Sequence, residues 1–221
     1  MPQNDDKLLK SDLFGEIRCR ETAAGRCILR DVGQAPFAMR WIARRLLHRE
    51  ARGLLAAEGI AAVPELLRLD DNSLQREYLG GQPMQVARPG ERHYFREALR
   101  VLRLLHRRGI VHNDLAKEPN WLVLEDGNPG LIDFQLAMQF RSRGRLFRML
   151  AREDLRHLLK HKRTYRPHDL TAGNQRILAT PSWPARLWSR CGKPLYLLIT
   201  RRLLGWADRE GAHERQRRDR A

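Results

Sequence analysis

The residues that could do chemistry crowd into one stretch. His112-Asn113-Asp114-Leu115-Ala116-Lys117-Glu118-Pro119-Asn120 carries three ionisable side chains and two carboxamides close to Asp114, and Asp133-Phe134-Gln135 resumes the theme. Between them lie two short apolar runs, Trp121–Leu124 and Gly130–Ile132, separated by Glu125-Asp126-Gly127-Asn128-Pro129. An Asp-Gly turn between apolar runs predicts a β-hairpin. Closing that hairpin returns Asp133 to the neighbourhood of Asn120 and Asp114. Carboxylates and a carboxamide gathered on loops at strand ends form a hard, oxygen-rich donor set. Such a set suits Mg²⁺ and the phosphate groups that share its coordination sphere.

The flanking elements must hold that hairpin in place. Residues 13–22, 26–32, 63–69 and 73–79 read as strands and predict a small antiparallel sheet, with Arg30 in the second. Pro36 opens a long helical pattern that ends at Gly59, with an apolar stripe of Met39, Ile42, Ala43, Leu46, Leu47 and Leu54. Glu50 falls on the same stripe. It either sits at the margin and reaches water or is buried with a partner, because an unpaired buried charge is costly. Gly80-Gly81-Gln82-Pro83 interrupts the pattern and marks a linker. The expected organisation is a loose N-terminus over 1–11, a sheet-plus-helix lobe over 12–80, a mainly helical lobe over 81–206 and a charged, disordered tail over 207–221. In the second lobe, residues 91–108 form an amphipathic helix that Gly109 caps. Residues 141–166 form a second helix, strongly basic, with Asp154 on its apolar stripe. Residues 181–206 mix Trp183, Trp188, Tyr196 and Trp206 with arginines and read as a last core helix or an interfacial amphipathic segment.

The formal net charge is +16 and the pI about 11.0. That balance favours anionic partners such as nucleotide, phosphorylated glycan or an anionic membrane surface. A solvated, arginine-rich surface accounts for it equally well. Binding to nucleic acid would rest on charge alone, since no stacking-aromatic motif accompanies it, and is not expected. Cys19, Cys27 and Cys191 have no metal-ligand spacing and fit a reducing cytosol. The first residues lack a signal pattern, and no apolar run approaches the ~20 residues of a spanning helix. The expected location is cytoplasmic, with peripheral contact at an anionic inner-membrane face left open.

His112-Asn113-Asp114…Asn120 and Asp133-Phe134, joined by a hairpin, resemble the protein-kinase-like superfamily, whose signature pairs a His-Arg-Asp…Asn loop with Asp-Phe-Gly. The likeness is to its compact bacterial lipopolysaccharide-core (Kdo/heptose) kinases and to RIO-type atypical kinases, and it spans about residues 13 to 165. It implies an α+β, two-lobed protein-kinase-like fold with ATP and Mg²⁺ as cofactors. Asp114 is then the catalytic carboxylate that accepts the proton of an incoming hydroxyl, and Asn120 and Asp133 hold the metal. Arg30 stands where the phosphate-contacting strand Lys is expected, steadied by Glu50. The main chain around Glu77 to Leu79 contacts adenine, and Lys117 lies near the place of a phosphate-contacting Lys. His112 supports the catalytic loop, and Asp154 braces it from the following helix.

The departures are specific. Asn120 lies six residues after Asp114, one more than the signature. Arg30 replaces Lys, and the two are not interchangeable. Gln135 replaces the Gly of Asp-Phe-Gly, no Gly-rich loop surrounds Gly15, and no Ala-Pro-Glu follows Asp133. The resemblance therefore implies an ATP-dependent phosphotransferase acting on a sugar, glycolipid or protein hydroxyl, while the departures keep open a kinase-like binding module with weak turnover.

Overall fold

The computed structural model of the chain describes residues 6–180 with the exception of Ala24. The predicted segment 181–206 and the tail 207–221 lie outside the described residues.

Five strands build the first sheet in the order β1-β2-β3-β5-β4, every neighbouring pair antiparallel. They are β1 (Asp6–Asp12), β2 (Gly15–Thr22), β3 (Gly25–Asp31), β4 (Leu66–Leu69) and β5 (Ser73–Glu77). The N-terminal stretch expected to be loose thus supplies an edge strand from Asp6 onward. Its residues are almost all exposed, so the main-chain ladder holds it together with the two-pronged Arg20–Asp6 bonds at 2.8 and 2.9 Å. A strand held this way shows no hydrophobic alternation to read.

Helix α1 (Phe37–Ala56) packs against one face of this sheet. Ile28 pairs with Arg76 and Arg30 with Leu74 across β3 and β5, so these four side chains share that face. Ile28 and Leu74 are buried. α1 contributes buried Ala43, Leu47, Ala51 and Leu54, and Glu50 is buried in the same row.

The chain leaves β5 at Glu77 and joins a second sheet within five residues. Here the expected linker does more than connect: β6 (Gln82–Pro83) pairs with β8 (Trp121–Val123), which pairs with β9 (Pro129–Leu131). Gly81 sits at φ +123 against the Val123 carbonyl, a place with no room for a Cβ. The short α2 (Met84–Ala87) follows, then α3 (Arg92–Arg107), whose buried face is Tyr94, Phe95, Ala98, Val101, Leu102 and Leu105. Strand β7 (Ile110–Val111) pairs with β10 (Met138–Gln139) and delivers the chain to His112. Helix α4 (Arg145–Tyr165) packs on α3, and α5 (Ala172–Ala179) packs on α4. The architecture is α+β: an antiparallel sheet with one helix, then a mainly helical half carrying a hairpin. None of the described helices is long and apolar enough to cross a membrane.

Candidate active site

The hairpin forms as its turn signal requires, with Trp121 opposite Leu131 and Val123 opposite Pro129. Its open end is fastened by the Ile132 N–H, which donates to the Asn120 carbonyl at 3.0 Å. That bond sets Asp133 beside Asn120. A 3-10 turn over Glu118–Asn120, with Pro119 in its middle, tilts Asn120 back toward Asp114. Asn120 Nδ2 donates to the Asp114 carbonyl at 2.9 Å and to Asp114 Oδ2 at 3.1 Å. Only the amide nitrogen can donate, so the contacts fix the amide orientation and leave Oδ1 as the acceptor. The extra residue between Asp114 and Asn120 is absorbed by the turn.

Lys117 Nζ bonds Asp114 Oδ2 at 2.7 Å. Asp133 Oδ1 is buried and meets no hydrogen-bond donor. Such an orphaned carboxylate oxygen costs free energy unless a cation or donor joins it. Two of the three described non-glycine residues with positive φ are here, Asn113 at +65 and Asp133 at +68. Backbone held in that region concentrates at functional sites.

The loop is braced from below. Asp154 on α4 accepts the main-chain N–H groups of His112 at 2.7 Å and Asn113 at 3.0 Å, and His106 Nε2 lies 3.5 Å from it. His112 is wholly buried, edge-on to the Phe134 ring, and its Nε2 bonds the Ile132 carbonyl at 3.1 Å. Burial holds its pKa below the ordinary histidine value, only partly opposed by the carboxylates of Asp154, Asp133 and Asp114. The ring is therefore neutral, with the proton on Nε2. Further along α4, His161 Nε2 donates to the Leu115 carbonyl at 2.7 Å, and Tyr165 OH donates to Glu118 Oε2 at 2.8 Å.

Above the loop, Arg30 and Glu50 are 6% and 4% exposed, and Arg30 Nη1 donates to Glu50 Oε2 at 2.9 Å. Glu50 is therefore the buried, paired carboxylate, and the alternative that it reaches water is excluded. Its other oxygen lies 3.6 Å from Arg76 Nε on β5. Burial pushes the Arg76 guanidinium below its ordinary value, with Glu50 and Asp133 opposing the shift. Arg30 Nη2 donates to Gln135 Oε1 at 3.0 Å. The 3-10 turn Phe134–Leu136 that carries Gln135 lies against α1: Phe134 packs at Gly53, and Arg49 Nη2 donates to the Leu136 and Ala137 carbonyls at 3.1 and 3.3 Å. Glu77 and Leu79 stand where β5 gives way to the connector. Glu77 is exposed, its carboxylate near the Glu65 N–H, and Leu79 is half-buried.

Three of these residues escape the sequence reading: Arg76, His161 and Gly53. Arg76 was open to discovery, because the strand alternation that buries Leu74 also turns Arg76 inward. His161 lies seven residues after Asp154, on the same stripe of α4. Gln135 stands out in the sequence as a departure, but its contact with Arg30 carries no signal there, because the two lie 105 residues apart.

The donor set suits Mg²⁺. Among the described residues there is no cluster of three or more His, Cys, Asp or Glu fit for a metal. Mg²⁺ commonly takes one or two carboxylate ligands and fills its octahedron with water and phosphate oxygens. The orphaned Asp133 oxygen and the Asn120 carboxamide oxygen match that need.

No curated protein matches the chain. The RIO domain matches residues 28–170, from the strand that carries Arg30 to the end of the Pro167–Asp169 turn beyond α4. That span takes in every brace and every oxygen donor described above, and it covers well over half of the sequence. The chain belongs to the RIO family of atypical protein-kinase-like, ATP-binding domains.

Proposed function

We propose that the protein is a phosphotransferase that moves the γ-phosphoryl group of ATP to a hydroxyl acceptor. The observation that carries this reading is the mouth of the hairpin, where Asn120 bonds Asp114 and the neighbouring Asp133 keeps a buried oxygen without a donor. Phosphoryl transfer asks for positioning and charge neutralisation more than for covalent chemistry. Asp114 is the proton acceptor for the incoming hydroxyl, held in place by Asn120. Asp133 and Asn120 are the residues that would hold Mg²⁺, which supplies charge neutralisation on the phosphates. Arg30, fixed by Glu50 and Gln135, presents its guanidinium to the phosphates. Lys117, now on Asp114, is within reach of the transferred group. The main chain from Glu77 to Leu79 is the adenine-contacting segment. His112 and Asp154 hold the loop and touch no substrate.

The acceptor is read from charge. α4 and the loop before it expose Arg141, Arg145, Arg148 and Arg152. An anionic acceptor suits that surface: a phosphorylated sugar or glycolipid, with a protein hydroxyl in an acidic setting as the other choice. Contact with an anionic membrane face belongs to the same reading.

One observation favours a second reading, a nucleotide-binding module with little turnover: Asp114 is already engaged by an ammonium at 2.7 Å. A turnover assay with Mg-ATP separates the two. Phosphoryl transfer to a cell-envelope or protein fraction should be lost in Asp114→Asn and in Asp133→Ala. Equal residual turnover in wild type and both variants, with ATP still bound, would leave the binding module standing.

A further inference from the structure

Two departures from the kinase pattern lie far apart in the sequence, Arg30 in place of Lys and Gln135 in place of Gly. In the folded chain they touch, with Arg30 Nη2 donating to Gln135 Oε1 at 3.0 Å. The contact has a simple chemical reason. An ammonium is a compact point charge that one carboxylate satisfies, whereas a guanidinium is a planar fork that presents separate nitrogens in fixed directions. Glu50 takes Nη1 at 2.9 Å, and its other oxygen faces Arg76 at 3.6 Å. The hydrogen bond that Nη2 makes is to Gln135, on the side away from Glu50's Nη1 contact. Arg30 is 6% exposed, so water cannot readily serve that nitrogen, and Arg30 Nε already lacks a protein partner. A residue without a side chain at 135 would leave a second buried donor unpaired.

We infer that Gln135 is a positioning residue for the nucleotide site, needed because the strand cation is Arg, and that through it Arg30 and the Asp133 loop are fixed to one another. Gln135 lies two residues after Asp133, whose φ of +68 must be held by its surroundings. The Arg30 contact fastens that turn to β3, while the Phe134 packing at Gly53 and the Arg49 bonds fasten it to α1. The arm that meets the phosphates and the loop that meets the metal are thereby set at one spacing before any ligand arrives. This inference rests on the nucleotide-binding reading above.

The test is a double-mutant cycle of Arg30→Lys and Gln135→Ala in the full chain, read in two ways. The first is urea unfolding without nucleotide, which needs no activity. The second is ATP affinity by calorimetry, with and without Mg²⁺. Gln135→Ala should weaken ATP binding on the order of tenfold, the scale of one hydrogen bond to a charged group. In the Arg30→Lys background the same change should cost less than about threefold, because Lys has no second fork nitrogen to satisfy. The unfolding midpoints should show the same non-additivity. A Gln135→Ala effect of equal size in both backgrounds overturns the inference, as does no effect in the wild-type background. Gln135→Asn, shorter by one methylene, should behave as Gln135→Ala if the alanine variant folds poorly. Failure of the wild-type chain to bind ATP at all would instead defeat the nucleotide reading.

Discussion

Asp154 reaches from α4 to the main chain of His112 and Asn113, and its carboxylate accepts both N–H groups, at 2.7 and 3.0 Å. The two donors precede Asp114 and include a residue at positive φ, so the helix dictates the conformation from which the Asp114 carboxylate is presented. Asp154→Ala should destabilise the protein by about 3 kcal/mol, since it strands two buried main-chain donors. Asp154→Asn keeps one acceptor and should cost roughly half as much. Urea unfolding measures both, and a loss below ~1 kcal/mol for the alanine variant would show that the loop holds its shape unaided.

Glu50 serves two guanidiniums, Arg30 at 2.9 Å and Arg76 at 3.6 Å. Removing it leaves two cations facing each other in a buried place. Glu50→Ala should cost about 3–5 kcal/mol. Adding Arg76→Met should recover part of that loss, because one of the unpaired charges goes with it. Denaturant midpoints of the two single variants and the double variant decide the matter, and strict additivity would mean that Arg76 does not depend on Glu50.

Stability should fall on mild acidification. Burial lowers the pKa of His112, His157 and His161 from the ordinary value of 6.5. The unfolded chain then binds more protons than the folded one at pH values below about 6.5, so the stabilisation is complete above that value and is lost as pH falls through it. Each histidine contributes a slope of up to ~1.4 kcal/mol per pH unit. Melting temperatures between pH 7.5 and 5.5 should drop, and His161→Asn should make the decline shallower. A flat profile over that window would contradict the neutral, buried state of these rings.

Gly53 lies where α1 crosses the Asp133 loop, and a Cβ there would stand 3.0 Å from Phe134 Cβ and 3.2 Å from Ala137 Cβ. Phe134 is fully buried and has no room to retreat. Gly53→Val should therefore destabilise by about 1–3 kcal/mol through overpacking. It should also reduce Mg²⁺-dependent ATP binding more than Mg²⁺-free binding, because the displaced loop is the one that carries Asp133. Calorimetry under both conditions tests this, and equal losses would detach Gly53 from the Asp133 loop.

Much of this was legible before folding. The hairpin was announced by Asp126-Gly127 between apolar runs, and Glu50 and Asp154 announced themselves as carboxylates on apolar stripes. The same rule applied to β5 would have found Arg76 opposite Ile28. The edge strand from Asp6 was hidden, because its pairing is main-chain and its side chains face water. The pairing of Gln135 with Arg30 was hidden for another reason. It depends on where Arg30 places a second nitrogen, and no local pattern encodes a distance across 105 residues.

Gly53 allows α1 to rest directly on the turn after Asp133, where the Phe134 packing and the two Arg49 bonds hold it. Swinging α1 away would break every one of these contacts together. A protein built so has no inexpensive resting posture in which the two halves of its site are parted.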